Sequence, residues 1–190
     1  MKALFTVLSI AVLGSCRSPE RQATGTYRIS VCKVGPCIAG DSSHAVAVGV
    51  LVLLDSTLFP REIPASAGPL LTRWRIPGTE NGCYDIKHTG VDNTSYAGGV
   101  GGTLWRLEGE QGKEITFNLI SSPDAFYVVR AIINGDQIAG VGHSSGSGVT
   151  AVHWPRDTVV ATKIGPADVS RCIAASIRDW QAIRQPPNTR

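Results

Sequence analysis

The chain has 190 residues, 43% of them hydrophobic, 17% charged and 6% aromatic, with a formal net charge of +3. That length fits one domain able to bury about 70% of the surface its unfolded chain exposes, without needing a metal to fold. The basic side chains are scattered and form no strong positive field, which argues against nucleic acid as a partner.

The N-terminus reads Met1-Lys2 followed by "ALFTVLSIAVL", an apolar run too short to cross a bilayer as a helix. With its single lysine ahead of it, this run marks residues 1–15 as an export signal that is removed. The next residues, Leu13-Gly14-Ser15-Cys16, resemble the lipobox of bacterial lipoproteins. That resemblance implies cleavage before Cys16, acylation of its thiol with palmitate-type chains, and a membrane partner reached through the lipid anchor. Two or three chains on one residue give stable anchoring, at about 0.8 kcal/mol per buried methylene. By the sorting rule of Gram-negative lipoproteins, Arg17, standing where an aspartate would retain the protein in the inner membrane, implies an outer-membrane location facing the periplasm or the surface. Cys16 is followed by "RSPERQATG", and residues 16–24 read as a polar tether.

The domain is expected over residues 25–184. Tyr27, Ile29 and Val31 alternate with Arg28, Ser30 and Cys32, the period of a half-buried strand. The run "HAVAVGVLVLL" predicts a central strand. Residues 56–82 hold Pro60, Pro64, Pro69 and Pro77 and predict a long connection, with a strand near "LLTRWRI". In "NGCYDIKH" an Asn-Gly turn leads into a strand carrying Cys83. The clearest signal is "GTLWRLEGEQGKEITFNLI", a hairpin in which Trp105, Leu107, Ile115, Phe117 and Leu119 alternate with polar residues. A second hairpin, "AFYVVRAII" to "DQIAGVGH", returns through Asn134-Gly135, read as a type I′ turn. "SSGSG" turns the chain again before "VTAVHW" and "DTVVATKI". This spacing predicts a mainly β fold: an antiparallel meander of about eight strands, closed into a barrel or folded as a sandwich so as to hide its edges.

Gly165-Pro166 announces a C-terminal amphipathic helix whose stripe is Val169, Cys172, Ile173, Ile177, Trp180 and Ile183. Residues 185–190 form a tail. No internal repeat or low-complexity domain is visible.

Cys16 aside, four cysteines remain, an even number in an oxidising compartment. Three pairings are possible; Cys32 with Cys37 and Cys83 with Cys172 is preferred, because "CKVGPC" carries a Gly-Pro turn that brings its ends together. Chain entropy assigns the short loop about 2 kcal/mol and the long one about 4.6. A zinc site would want C-x-x-C spacing or paired histidines, whereas His44, His88, His143 and His153 are dispersed, so neither metal nor other cofactor is expected.

Gly142-His143-Ser144-Ser145-Gly146 matches the G-x-S-x-G pattern of serine hydrolases. That pattern needs a strand before it, a helix after it, then an acid and a histidine in that order. Here a hairpin arm precedes Ser144, glycines and β-branched residues follow, and His153 precedes both Asp157 and Asp168. A polar turn at a barrel rim is therefore expected, with a hydrolase built from His143, Ser144, Asp136 and His153 as an alternative. Glu108 and Glu110 flank Gly109 in a hairpin turn and read as solvated surface rather than a glycosidase pair. "YAGGVGG" lacks the lysine and the strand-to-helix setting of a phosphate loop and reads as a bent strand or bulge. Asn93-Thr94-Ser95 is a formal glycosylation sequon, expected to be chance in a bacterial lipoprotein.

Two kinds of function remain. The first is a structural or partner-binding envelope module with no catalytic residues, its barrel filled by aromatics such as Tyr27, Trp105, Phe117, Phe126 and Trp154. The second keeps a cavity: Gly25-Thr26-Tyr27 at the first strand, the meander, the late helix and a cysteine joining sheet to C-terminal region are similar to lipocalins. That resemblance implies a small apolar ligand inside an eight-stranded barrel. Tyr27 stands where lipocalins usually have tryptophan, and no strand follows the helix.

Overall fold

In the computed structural model the described residues are 19–33, 35–55, 80–89, 99–109, 111–122, 125–146 and 157–174. They form a short helix, α1 (Pro19–Ala23), the start of a C-terminal helix (169–174), and eight strands: β1 (Gly25–Cys32), β2 (Ala47–Leu53), β3 (Glu80–His88), β4 (Gly99–Glu108), β5 (Glu114–Ser122), β6 (Ala125–Asn134), β7 (Gln137–Gly146) and β8 (Asp157–Gly165). Each strand pairs antiparallel with the next, and β8 pairs with β1. The expected meander is thus a closed barrel with no free edge.

Alternation sets the wall. Tyr27, Ile29, Val31, Leu51, Leu53, Tyr84, Ile86, Trp105, Phe117 and Tyr127 are buried in one interior cluster to which all eight strands contribute. β2 departs from alternation for a physical reason: its other face is covered too. Val52, Leu54, Cys83 and Cys172 form a second buried cluster outside the barrel, flanked by Val50, Val100, Ala167 and Val169. A strand buried on both faces reads as a continuous apolar run, which is what residues 44–54 show.

The cover is the start of the C-terminal helix, residues 169–174. Asp168 caps it, its Oδ1 accepting from Arg171 N (3.1 Å) and Ser170 Oγ (2.5 Å). These bonds hold the Asp168 carboxyl below the usual range. Thr26 Oγ1 accepts from Asp168 N and donates to Pro166 O, tying the entry of the helix to β1. Cys83–Cys172 then locks helix to sheet, and Cys32–Cys37 pins a loop across the outside of β1, where Ser30 is fully covered. Both expected pairings are present. Ile177, Trp180 and Ile183 lie outside the described residues.

Several local expectations change. Residues 19–23 of the expected tether are helical, and Ala23 is buried in the interior cluster because Tyr27 Oη donates to its carbonyl (2.6 Å). Asn81-Gly82 lies inside β3, paired with β2 and β4, rather than in a turn. The glycines at 99–102 pair in regular register, without a bulge, with Gly101 opposite Tyr84. In the second hairpin Asn134 pairs with Gln137, leaving Gly135-Asp136 as the loop. Gly135 alone has positive φ there (57°), the requirement of a type II′ turn rather than I′. The expected strands at 70–76 and 149–154, and Phe126 and Trp154 as filling residues, fall outside the described residues or side chains.

Candidate functional site

The barrel interior is the first place to look for a ligand, since an eight-stranded barrel holds either side chains or one small molecule. Trp105 sits opposite Phe117, and Leu51 lies between Tyr27 and Tyr84, so bulky groups meet across adjacent strands. All five aromatics of the cluster, Tyr27, Tyr84, Trp105, Phe117 and Tyr127, are at most 2% exposed. The polar ends of Tyr27, Trp105 and Tyr127 are engaged inside the protein. Trp105 Nε1 donates to the carbonyls of Leu54 (3.0 Å) and Asn81 (2.9 Å). Tyr27 bonds Ala23 O, and burial, with the nearby Asp136 charge, pushes its phenol far up from its usual range.

The end of the barrel away from α1 is more polar. Tyr127 Oη donates to Asp157 Oδ2 (2.7 Å) within the wall, and Asp157 is 2% exposed. Burial raises the Asp157 carboxyl above its ordinary range, against the lowering effects of the Tyr127 bond and Lys33. Among the described buried side-chain atoms, Asp157 Oδ1 has no hydrogen-bond partner. Gly142 makes the arrangement possible: a Cβ there would sit 2.3 Å from Tyr127 Cε1, so the ring lies directly over the glycine.

The G-x-S-x-G stretch is strand, not turn, because residues 142–146 continue β7 and pair with β6. Ser144 pairs with Tyr127 and shares its interior face, whereas His143 pairs with Val128 and faces outward. Successive strand residues point to opposite faces, so the two side chains diverge. Asp136 lies in the loop at the other end of β7, eight residues from Ser144, about 26 Å of strand at about 3.3 Å per residue. His153 lies outside the described residues, as do Cys16 and Asn93. Asp157 is the acid that shares the face of Ser144, and no histidine of β7 or β8 joins them there.

Glu108 accepts from Arg106 Nε and, at 3.1 Å, from Thr116 Oγ1, a surface ladder across β4 and β5. Glu110 is outside the described residues. No group of metal-ligating side chains occurs among the described residues. What the sequence reading missed is the Tyr127–Asp157 bond, which joins residues 30 apart and becomes visible only once β6, β7 and β8 are in register. No family model, curated protein or solved structure matches the chain.

Proposed function

We propose that the chain is an envelope lipoprotein, anchored at Cys16 in the outer membrane, whose barrel is a non-catalytic structural or partner-binding module. The filled interior carries this reading. Five buried aromatics, of which Tyr27, Trp105 and Tyr127 have internally bonded polar ends, occupy the space that a lipocalin-like ligand would need. A hydrolase built on Ser144 has less support, because His143 faces the other way and the acid on the face of Ser144 is engaged by Tyr127.

Mass spectrometry of the full chain, expressed with export and purified gently, tests both halves. A diacylated or triacylated Cys16 at the N-terminus and no co-purifying small molecule after denaturing extraction is the expected outcome. A near-stoichiometric released ligand would move the protein to the lipocalin-like alternative. An unmodified chain retaining residues 1–15 would end the lipoprotein reading.

A further inference from the structure

A groove of about 530 Å³ opens at the α1 end of the barrel, between α1, the β4–β5 turn and the β6–β7 turn. Among the described residues its lining carries three cations on three separate elements, Arg21 on α1, Lys113 beside the β4–β5 turn and Lys163 on β8, against one acid, Asp136. Gln22 and Gln111 add neutral polar groups. Glu20, also on α1, is not part of that lining. Lys163 is held in place: its Nζ donates to Gln22 O (2.9 Å) and lies 5.8 Å from the centre of the Tyr27 ring. The α1 wall is fixed as well, through buried Ala23 and the bond from Tyr27 Oη.

The position of this groove gives it a partner. Pro19, the first residue of α1, follows Cys16 by three positions, and a chain reaches at most about 3.6 Å per residue, so about 11 Å in all. A residue acylated at Cys16 therefore cannot leave the α1 end of the barrel. We propose that this end rests on the membrane and that the groove takes the phosphate-bearing headgroup of an anionic phospholipid. This rests on the lipoprotein reading above. The volume falls in the range of small-molecule sites, about 300–1,000 Å³. Three cations facing one acid favour an anion, and ammonium and guanidinium groups both bind phosphate oxygens by charge-assisted bonds.

The experiment uses the acylated full chain in vesicles of phosphatidylcholine alone, or of phosphatidylcholine with phosphatidylglycerol, and reads amide hydrogen exchange. Slower exchange at 19–23, 111–113 and 134–136 in the phosphatidylglycerol vesicles only, reversed by high salt, is expected. Lys113→Gln, which keeps the backbone bond from Ile133 N to Lys113 O, should reduce that protection about fivefold, the weight of one cation near an anionic surface. Equal exchange in the two vesicles, with Cys16 acylated and the protein floating with the lipid, overturns the headgroup site and leaves the anchor standing. Inorganic phosphate reproducing the protection on phosphatidylcholine vesicles also overturns it, by assigning the groove to the free anion. An unacylated Cys16 removes both readings.

Discussion

The barrel interior and the patch beneath the C-terminal helix are both buried apolar clusters, but they are held in different ways. Among the described residues, twenty buried side chains from α1, all eight strands and the residue before β2 make up the first, and Val52, Leu54, Cys83 and Cys172 the second. The interior closes on itself by topology, since every strand is pinned by two neighbours. The outer patch has no such closure: its cover is a helix that reaches it through Thr26, the Asp168 cap and one disulfide. Where topology encloses a core, packing alone can hold it. Where one element lies on an open face, a covalent bond adds to what packing supplies.

Trp105→Ala should test the first half of that contrast most severely. It removes the largest interior side chain and the donor to Leu54 O, at about 3–5 kcal/mol, read as a lower urea midpoint at unchanged slope. Cys83→Ser with Cys172→Ser should cost up to about 4.6 kcal/mol through the chain entropy of the unfolded state. Its signature should differ: proteases should cut beyond residue 165 early, while the hydrogen-exchange protection signal of β4 and β5 persists. Loss of that signal together with the helix would mean that the two clusters are one cooperative unit, and the contrast would fail.

Smaller effects refine the picture at the polar end of the interior. Gly142→Ala pushes a methyl into the Tyr127 ring and must break its bond to Asp157, an overpacking cost of about 1–3 kcal/mol measurable by thermal unfolding. Asp157 should make stability depend on pH. Its folded-state pKa is raised, so its favourable contribution is complete below the ordinary aspartate value, about 3.9, and is lost as pH climbs through the raised value. Asp157→Asn should flatten that decline and raise Tm at neutral pH, read by thermal unfolding across the pH range. A variant that keeps the wild-type pH profile above the ordinary aspartate value would show that another group controls it.

The legible parts of this fold were those in which one physical requirement acts locally. Trp105, Leu107, Ile115, Phe117 and Leu119 alternate because one face of β4 and β5 is inside, and the two disulfides follow from a Gly-Pro turn and an even count. The errors came where tertiary pairing overrides local composition. Asn81-Gly82 and the Gly-Ser run at 142–146 look like turns, but both extend strands whose partners, β2 with β4 and β6 with β8, are already laid down. Glycine was chosen at 142 for the space it leaves beneath Tyr127, not for a bend, and no short-range signal distinguishes those uses. The helical turn at 19–23 is too short to show a period, and its cause, the phenol of Tyr27, lies outside it.

β2 is the shared wall between the two clusters, and this has a consequence for how the chain is assembled. Delivered N-terminus first, β2 presents Val50, Val52 and Leu54 long before their cover exists, because Cys172 follows Cys83 by 89 residues. In that interval the strand is a sticky β-branched segment of the kind that seeds intermolecular pairing. Cys83 meanwhile is a thiol waiting for a distant mate. Cys32 and Cys37, five residues apart and both emerging earlier, can close their small ring at once and withdraw the two nearest wrong partners. The small ring then acts as a proofreader for the large one, a value in fidelity that its modest share of the equilibrium stability does not reveal.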